Sequence, residues 1–263
     1  MKTVFAAATA LLLASQAFAQ TPSEGIAQYR ALLADGNPAE LWEAKGEDLW
    51  KKARGPKNAS LQRCDLGLGP GVVKGSFVIL PRYFEDTGRV QDLESRLLSC
   101  MQNLQGFDAA EIARTPFGKG EQANIDSLVA WISSESAGMK FDVPQSHAEE
   151  RNMYEAGKRI FFFRAGPYDF ACASCHSQQD KRIRLQDLPD LTTAKGAGAG
   201  FGAWPAYRVS SGELWGMQRR LNDCFRQQRF PYPGYGSDAT VALSVYMGVT
   251  AHGAASIAPA LKR

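Results

Sequence analysis

GKRIFFFRAGPYDFACASCH, Gly157 to His176, is the stretch on which the fold turns. It ends in Cys172-Ala173-Ser174-Cys175-His176, the C-x-x-C-H spacing of covalent c-type haem attachment. The chemistry sets that spacing. Two thiols add to the two vinyl groups of one haem, and the next residue, on a short helix, turns its imidazole to the iron as proximal ligand. A thioredoxin-like redox pair shares C-x-x-C, but a histidine directly after the second cysteine and the lack of a βαβ pattern upstream argue against it. Zinc would need further Cys or His ligands nearby, and none follow. The motif predicts one covalent haem c on Cys172 and Cys175, with His176 proximal.

The same stretch recurs upstream. GEDLWKKARGPKNASLQRCD, Gly46 to Asp65, aligns with it without a gap. Gly46 matches Gly157, Gly55-Pro56 matches Gly166-Pro167, and Cys64 matches Cys175. Leu61 stands at the place of Cys172 and Asp65 at that of His176, so the first copy reads as a haem site that has lost a thioether cysteine and its iron ligand. Further on, RLLSC (Arg96 to Cys100) resembles RLNDC (Arg220 to Cys224), and DSLVAW (Asp126 to Trp131) resembles DATVAL (Asp238 to Leu243). The expected fold is mainly α, with two cytochrome c-like domains related by an internal repeat, the first without haem. The first domain reads as residues 20–143 and the second as 144–263. Their boundary falls near Phe141 to His147, where Pro144 interrupts the helical pattern.

Helical periodicity predicts helices over Ile26 to Gly36, Ala39 to Ala53, Val90 to Leu104, Asn124 to Ala137, Glu149 to Arg164, Gly212 to Gln228 and Ser237 to Gly253. In the second of these, Leu41, Trp42, Leu49 and Trp50 form the expected buried stripe. Ser237 or Asp238 is the expected N-cap of the last, and Gly253 its stop. Short ribbons over Val72 to Pro81 are the only strand candidates. Leu191 to Arg208 is Gly-rich, but no strand precedes it, so a dinucleotide loop is rejected. Its glycines are expected to let backbone pass close to a haem edge.

The first residues, MKTVFAAATALLLASQAFAQ, read as a secretory signal peptide over 1–19, with a basic Lys2, an apolar stretch and an Ala17-Phe18-Ala19 cleavage site. The apolar run is shorter than the ~20 residues a spanning helix needs, and no later segment is long and apolar enough. The expected location is a bacterial periplasm. What remains is long enough for one large domain or two small ones of about 100–150 residues each. The net charge of +3 is too small to imply nucleic acid or an anionic membrane as partner.

There are five cysteines, an odd number that calls for an explanation in an exported chain. Haem takes Cys172 and Cys175. If Cys224 sits near the haem iron, Cys100 sits near the same place in the first copy, where Cys64 already lies. With no haem between them, the two can close as Cys64–Cys100; the alternative is two buried free thiols, disfavoured in an oxidising compartment. Cys224 is then left over, in RRLNDCFRQQR among Arg219, Arg220, Arg226 and Arg229. Candidates for the second axial position on iron are Met217, Met247, Cys224 and His252. The methionines also fit apolar stripes, His252 fits a helix end, and His147 at the domain boundary fits a solvated position. Cys224 is preferred because it is unpaired, because Arg220 shares its helix face, and because cations lower a thiol pKa towards the nucleophilic, metal-binding thiolate.

CASCH at 172–176, GFGAWPAYR at 200–208 and RRLNDC at 219–224 together resemble the SoxA family, the catalytic cytochrome subunits of bacterial thiosulfate oxidation. The resemblance covers essentially the whole mature chain. It implies an L-cysteine S-thiosulfotransferase that couples thiosulfate to a cysteine of a SoxYZ-like carrier, with two electrons leaving via haem. It also implies a heterodimer with a SoxX-like small cytochrome c and an electron-acceptor cytochrome downstream. The family's active cysteine, both distal haem ligand and persulfide, falls on Cys224, and its substrate-binding arginine on Arg220. Dihaem members carry a full C-x-x-C-H in the first domain; Leu61 and Asp65 place this chain with the monohaem branch, where a disulfide replaces the first haem. Thiosulfate is a dianion, and a guanidinium can hold its sulfonate with parallel hydrogen bonds. A carrier arm would reach such a site through a channel lined with positive charge. A thiosulfate dehydrogenase, making tetrathionate, and a plain electron-carrier cytochrome with Cys224 only as ligand stay open as alternatives.

Overall fold

The computed structural model describes residues 36–183 and 186–262, together with Glu24, Gly25 and Gln28. The expected signal peptide lies outside these residues. So does the expected helix over Ile26 to Gly36, apart from Gln28, which is helical, and Gly36, which sits in a turn.

In chain order, helix α1 (Glu40–Lys51) leads through turns and a single 3₁₀ turn at Phe77–Ile79 to a hairpin, β1 (Arg82–Phe84) paired antiparallel with β2 (Arg89–Gln91). Helix α2 (Leu93–Cys100) follows, capped by the Asp92 carboxylate, which accepts from Ser95 N at 2.8 Å. It runs on through a π-helical turn, Met101–Gln105, into α3 (Ala109–Arg114) and α4 (Gly120–Ser134). Helix α5 (Ala148–Phe162) starts at His147, whose N–H donates to Glu150 Oε2 at 3.0 Å while its Nδ1 accepts from Glu149 N at 3.2 Å. Then come α6 (Cys172–His176), the two-residue strands β3 (Arg182–Ile183) and β4 (Gln186–Asp187), and α7 (Ala194–Gly200). A 3₁₀ turn at Phe201–Ala203 precedes the hairpin β5 (Ala206–Arg208) and β6 (Glu213–Trp215), helix α8 (Met217–Gln227), α9 (Asp238–Thr250) and β7 (Ala260–Lys262), which pairs parallel with β5.

Two helix pairs frame the chain, α1 on α4 and α5 on α9. Each packs at a glycine. A Cβ on Gly46 would fall on the Ser127 carbonyl oxygen, and one on Gly157 on the Ala242 carbonyl oxygen; Trp131 Cβ and Tyr246 Cβ come next in each case. Only glycine permits backbones this close. These contacts set Ser127 opposite Ala242, a register that slides the DSLVAW–DATVAL match by three residues.

The middle of each half shows the same order. Arg54 bridges to Ala59 and Ala165 to Phe170, with Gly55 and Gly166 both left-handed at φ +70° and +71°. Arg82 faces Gln91 across one hairpin, and Ala206 faces Trp215 across the other. Each hairpin leads directly into the helix that carries Cys100 or Cys224. The buried core is continuous from Leu49 and Leu97 to Leu243. Phe141, fully buried, joins its two ends, with its ring 5.7 Å from Phe77 and 5.5 Å from Phe201. Burying a phenylalanine fully is worth about 1.5–3 kcal/mol.

The structure departs from the sequence reading at several points. Val72 to Pro81 holds no strand; the ribbons are the two hairpins, β3–β4 and β7. Residues 90–91 and 213–215, predicted helical, are strand, because the hairpins hand over to helix only at Asp92 and Gly216. Leu41 is 74% exposed, while Leu49 and Trp50 are buried. The Gly-rich stretch forms α7, in which a Cβ on Gly196 would strike Asp190 backbone and one on Gly198 the Ala254 side chain. These two glycines serve close protein packing, while Gly200, at the end of the same helix, lines the cavity that holds Cys172, Cys175 and His176.

Candidate functional site

Helix α6 is short because it is bounded by Ala171, in extended conformation, and by Ser177. Ser174 Oγ accepts from Ala171 N at 3.0 Å and fixes its first turn. That turn sets Cys172, Cys175 and His176 along one wall of a cavity of about 390 Å³. Arg220 and Cys224, one turn apart on α8, line the same cavity, with Met217, Met247 and Arg208. The apolar walls include Phe161, Phe201 and Leu221.

His176 Nδ1 lies 2.9 Å from Pro189 O. With the proton on Nδ1, that contact is a hydrogen bond to the carbonyl and Nε2 keeps its lone pair. Such a bond fixes both tautomer and ring orientation of a metal-ligating histidine. Burial lowers the His176 pKa, which also favours the neutral ring. Two thiols, an imidazole with an oriented lone pair and apolar walls make a donor set that fits haem c: Cys172 and Cys175 for attachment, His176 for iron. Cys224 offers a sulfur on the same cavity. His252 is 71% exposed, pairs with Asp142 at 3.3 Å and does not line it. His147 is exposed, caps α5 and stacks on the Tyr83 ring at 3.7 Å.

The four arginines near Cys224 separate. Arg219 donates to Glu213 at 2.5 Å and lies over the Trp215 ring. Arg226 pairs with Asp223 at 2.7 Å on an exposed face, and Arg229 is exposed. Arg220 is the one that lines the cavity, with a long contact to Asp223 at 3.4 Å and its guanidinium 5.7 Å from the Trp204 ring. Burial raises the Cys224 pKa; Arg220 and, more weakly, Arg208 pull it down in the expected direction, while Asp223 opposes them.

Arg208 is a residue the sequence reading passed over. Its guanidinium sits 4.5 Å over Trp215, and its pKa is lowered by burial first and by Arg220 second. Hairpin register places it where the first half has Phe84, so a phenylalanine replaced by arginine was the available signal. With Arg220 and Lys262 it gives the cavity a cationic side.

In the first half, Cys64 and Cys100 are joined in a disulfide with Cα atoms 5.6 Å apart, both buried. Asp65 Oδ1 accepts from Gly67 N at 2.6 Å and Gly69 N at 2.9 Å, closing a turn. Arg96, four residues before Cys100, donates to Asp65 O at 2.7 Å and to Asp86 at 2.8 Å, and its guanidinium lies 3.9 Å from the Phe84 ring centroid. It is thereby held in the protein interior, whereas Arg220 faces a cavity.

A family model described as "SoxA/TsdA, cytochrome c domain" matches residues 45–141. The L-cysteine S-thiosulfotransferase subunit SoxA of Hydrogenophilus thermoluteolus is 54% identical over 100% of this chain and 99% of its own. The subunit of the same name from Hydrogenobacter thermophilus is 32% identical over 93% and 90%. Among solved structures, SoxXA from P. pantotrophus shares the fold, with a TM-score of 0.74 and 24% identity over 90% of this chain and 84% of that one.

Proposed function

The chain belongs to the SoxA family, and from that premise we propose that it couples thiosulfate to a cysteine of a carrier protein, with Cys224 as the reacting sulfur. It is an L-cysteine S-thiosulfotransferase of sulfur oxidation. The observation that carries the site assignment is that Arg220 and Cys224 line one cavity together with Cys172, Cys175 and His176.

Arg220 binds the sulfonate of thiosulfate, and the cationic side made with Arg208 and Lys262 draws the dianion in. The terminal sulfur of a Cys224 persulfide bonds to the sulfane sulfur, and two electrons leave. The carrier thiolate then attacks that sulfane sulfur, taking thiosulfate as a thiosulfonate disulfide and releasing the Cys224 persulfide anion. Haem c, when bound, supplies the electron-accepting centre. Cys172, Cys175 and His176 would hold one haem, and Cys224 would offer its iron a further sulfur ligand.

The chain comprises a signal peptide over 1–19, a haem-free cytochrome c-like domain over 20–143 and a haem domain over 144–263. Two observations support the internal repeat. The cytochrome c family model matches 45–141, the half without C-x-x-C-H, and both halves place hairpin, helix and cysteine in the same order. In the first half the Cys64–Cys100 bond takes the place of haem. The partners are a SoxX-like small cytochrome, a SoxYZ-like carrier and an acceptor cytochrome, and the setting is a periplasm. Among the described residues no helix is long and apolar enough to cross a membrane.

The test is product identity. The haem-loaded complex with thiosulfate, carrier and oxidant should give the carrier conjugate, and Cys224→Ala should give none. Tetrathionate without carrier would instead assign a thiosulfate dehydrogenase.

A further inference from the structure

Helix α8 carries Arg220 and Cys224, yet it has no N-terminal cap of its own. Its N-cap is Gly216, no acidic side chain lies in its first turn, and Arg219 and Arg220 stand where the helix dipole disfavours cations. The corresponding helix of the first half, α2, is self-capped by Asp92, with Glu94 in its first turn. Hairpin register places Gly216 at the position of Asp92, and Gln218 at that of Glu94.

The missing cap comes from the other half. Glu94 Oε2 accepts from Gln218 N at 2.8 Å. Asp126, on α4, faces the Gly216 N–H. A Cβ on Gly216 would collide with Glu94 Oε1, so glycine makes room for the carboxyl. The exchange is reciprocal, because Gln218 Nε2 donates to Asp92 Oδ2 at 2.5 Å. All four side chains are buried. We propose that Glu94 of the haem-free half is a positioning residue for the reaction, capping α8 across the interface and thereby fixing where Arg220 and Cys224 point.

The first half is then more than a relic. It supplies the acceptors that two arginines and a glycine at the start of α8 cannot supply. The groups facing Glu94 are Asp92, Asp126 and Tyr235; those facing Asp126 are Arg219, Glu213, Lys45, Glu94 and Tyr235. Burial, then Asp92, pushes the Glu94 carboxyl well above the usual carboxylate range. A neutral carboxyl still accepts through its carbonyl oxygen, which Gln would keep.

The proposal rests on Arg220 and Cys224 being the reacting pair, and its first readout does not depend on that. In the haem-loaded complex, Glu94→Ala should speed hydrogen exchange of the α8 amides by about fivefold or more, the equivalent of a lost N-cap, with α9 unchanged. Its kcat should fall by about tenfold or more, because small misplacements of reacting groups are costly. Glu94→Gln should restore both. So should the double variant Glu94→Ala/Gly216→Asn, in which the vacated space takes a cap on the helix itself. Unchanged α8 exchange in Glu94→Ala, equal acceleration in α8 and α9, or failure of both rescues would overturn the proposal. An active Cys224→Ala would sink the reading of the reacting pair while leaving the exchange result standing.

Discussion

Removing the Cys64–Cys100 bond by the double substitution to alanine tests whether the first half stands without haem because a covalent link replaced it. The sequence separation of 36 residues sets the loop the bond closes. On the chain-entropy model, losing it costs about 4 kcal/mol at 25 °C. Both sulfurs are buried, so truncation adds a smaller packing loss in the same direction. A protein of this size shifts its Tm by roughly 2–4 °C per kcal/mol, so the variant should melt about 8–16 °C lower by calorimetry at matched haem loading. Neither cysteine lines the cavity, so conjugation at 25 °C should stay close to wild type. A drop below about 3 °C would refute the reasoning, since the link would then contribute little beyond what the packing of α1 and α4 provides.

Gly157→Ala should destabilise, although alanine is the better helix former by about 1 kcal/mol. The new Cβ meets the Ala242 carbonyl, and forcing α5 off α9 costs about 1–3 kcal/mol, read as a lower urea midpoint. Asp126 is buried with its pKa raised to about 7, first by burial. A raised folded-state carboxyl pKa means the unfolded chain releases its proton first, so stability should decline as pH rises from about 4 to about 7. Asp126→Asn should flatten that decline in denaturant titrations across the window. Arg220→Lys keeps the charge but loses the two-pronged fit to a sulfonate. It should lower kcat/KM for thiosulfate by about 10–100-fold, mostly through KM, with the haem spectrum unchanged.

Much of the site was legible because its chemistry is local. C-x-x-C-H fixes three residues by spacing alone, and the four-residue step from Arg220 to Cys224 fixes two more on a helix face. The gapless match of Gly46–Asp65 to Gly157–His176 carried the glycine contacts and the placement of Cys64 with it. What the sequence hid was set by tertiary contact. Arg208 matters only because the β5–β6 hairpin folds it over Trp215. The cap on α8 comes from Glu94, more than a hundred residues away. The closing helices slid three residues because the register is decided by Gly46 and Gly157 against carbonyls, not by letter matches. The Gly-rich α7 is given no helix by its sequence because glycine is a poor helix former, yet Thr193 Oγ1 caps it, accepting from Gly196 N at 3.1 Å, and close packing sustains it.

The central claim is that Cys224 is the reacting sulfur. The most direct measurement is the mass of the haem-loaded, partner-bound protein with the Cys224 peptide resolved. The account predicts an extra sulfur on Cys224, removed by a thiol reductant together with activity. An unmodified Cys224 in a fully active preparation would contradict it, and would leave this residue a ligand only.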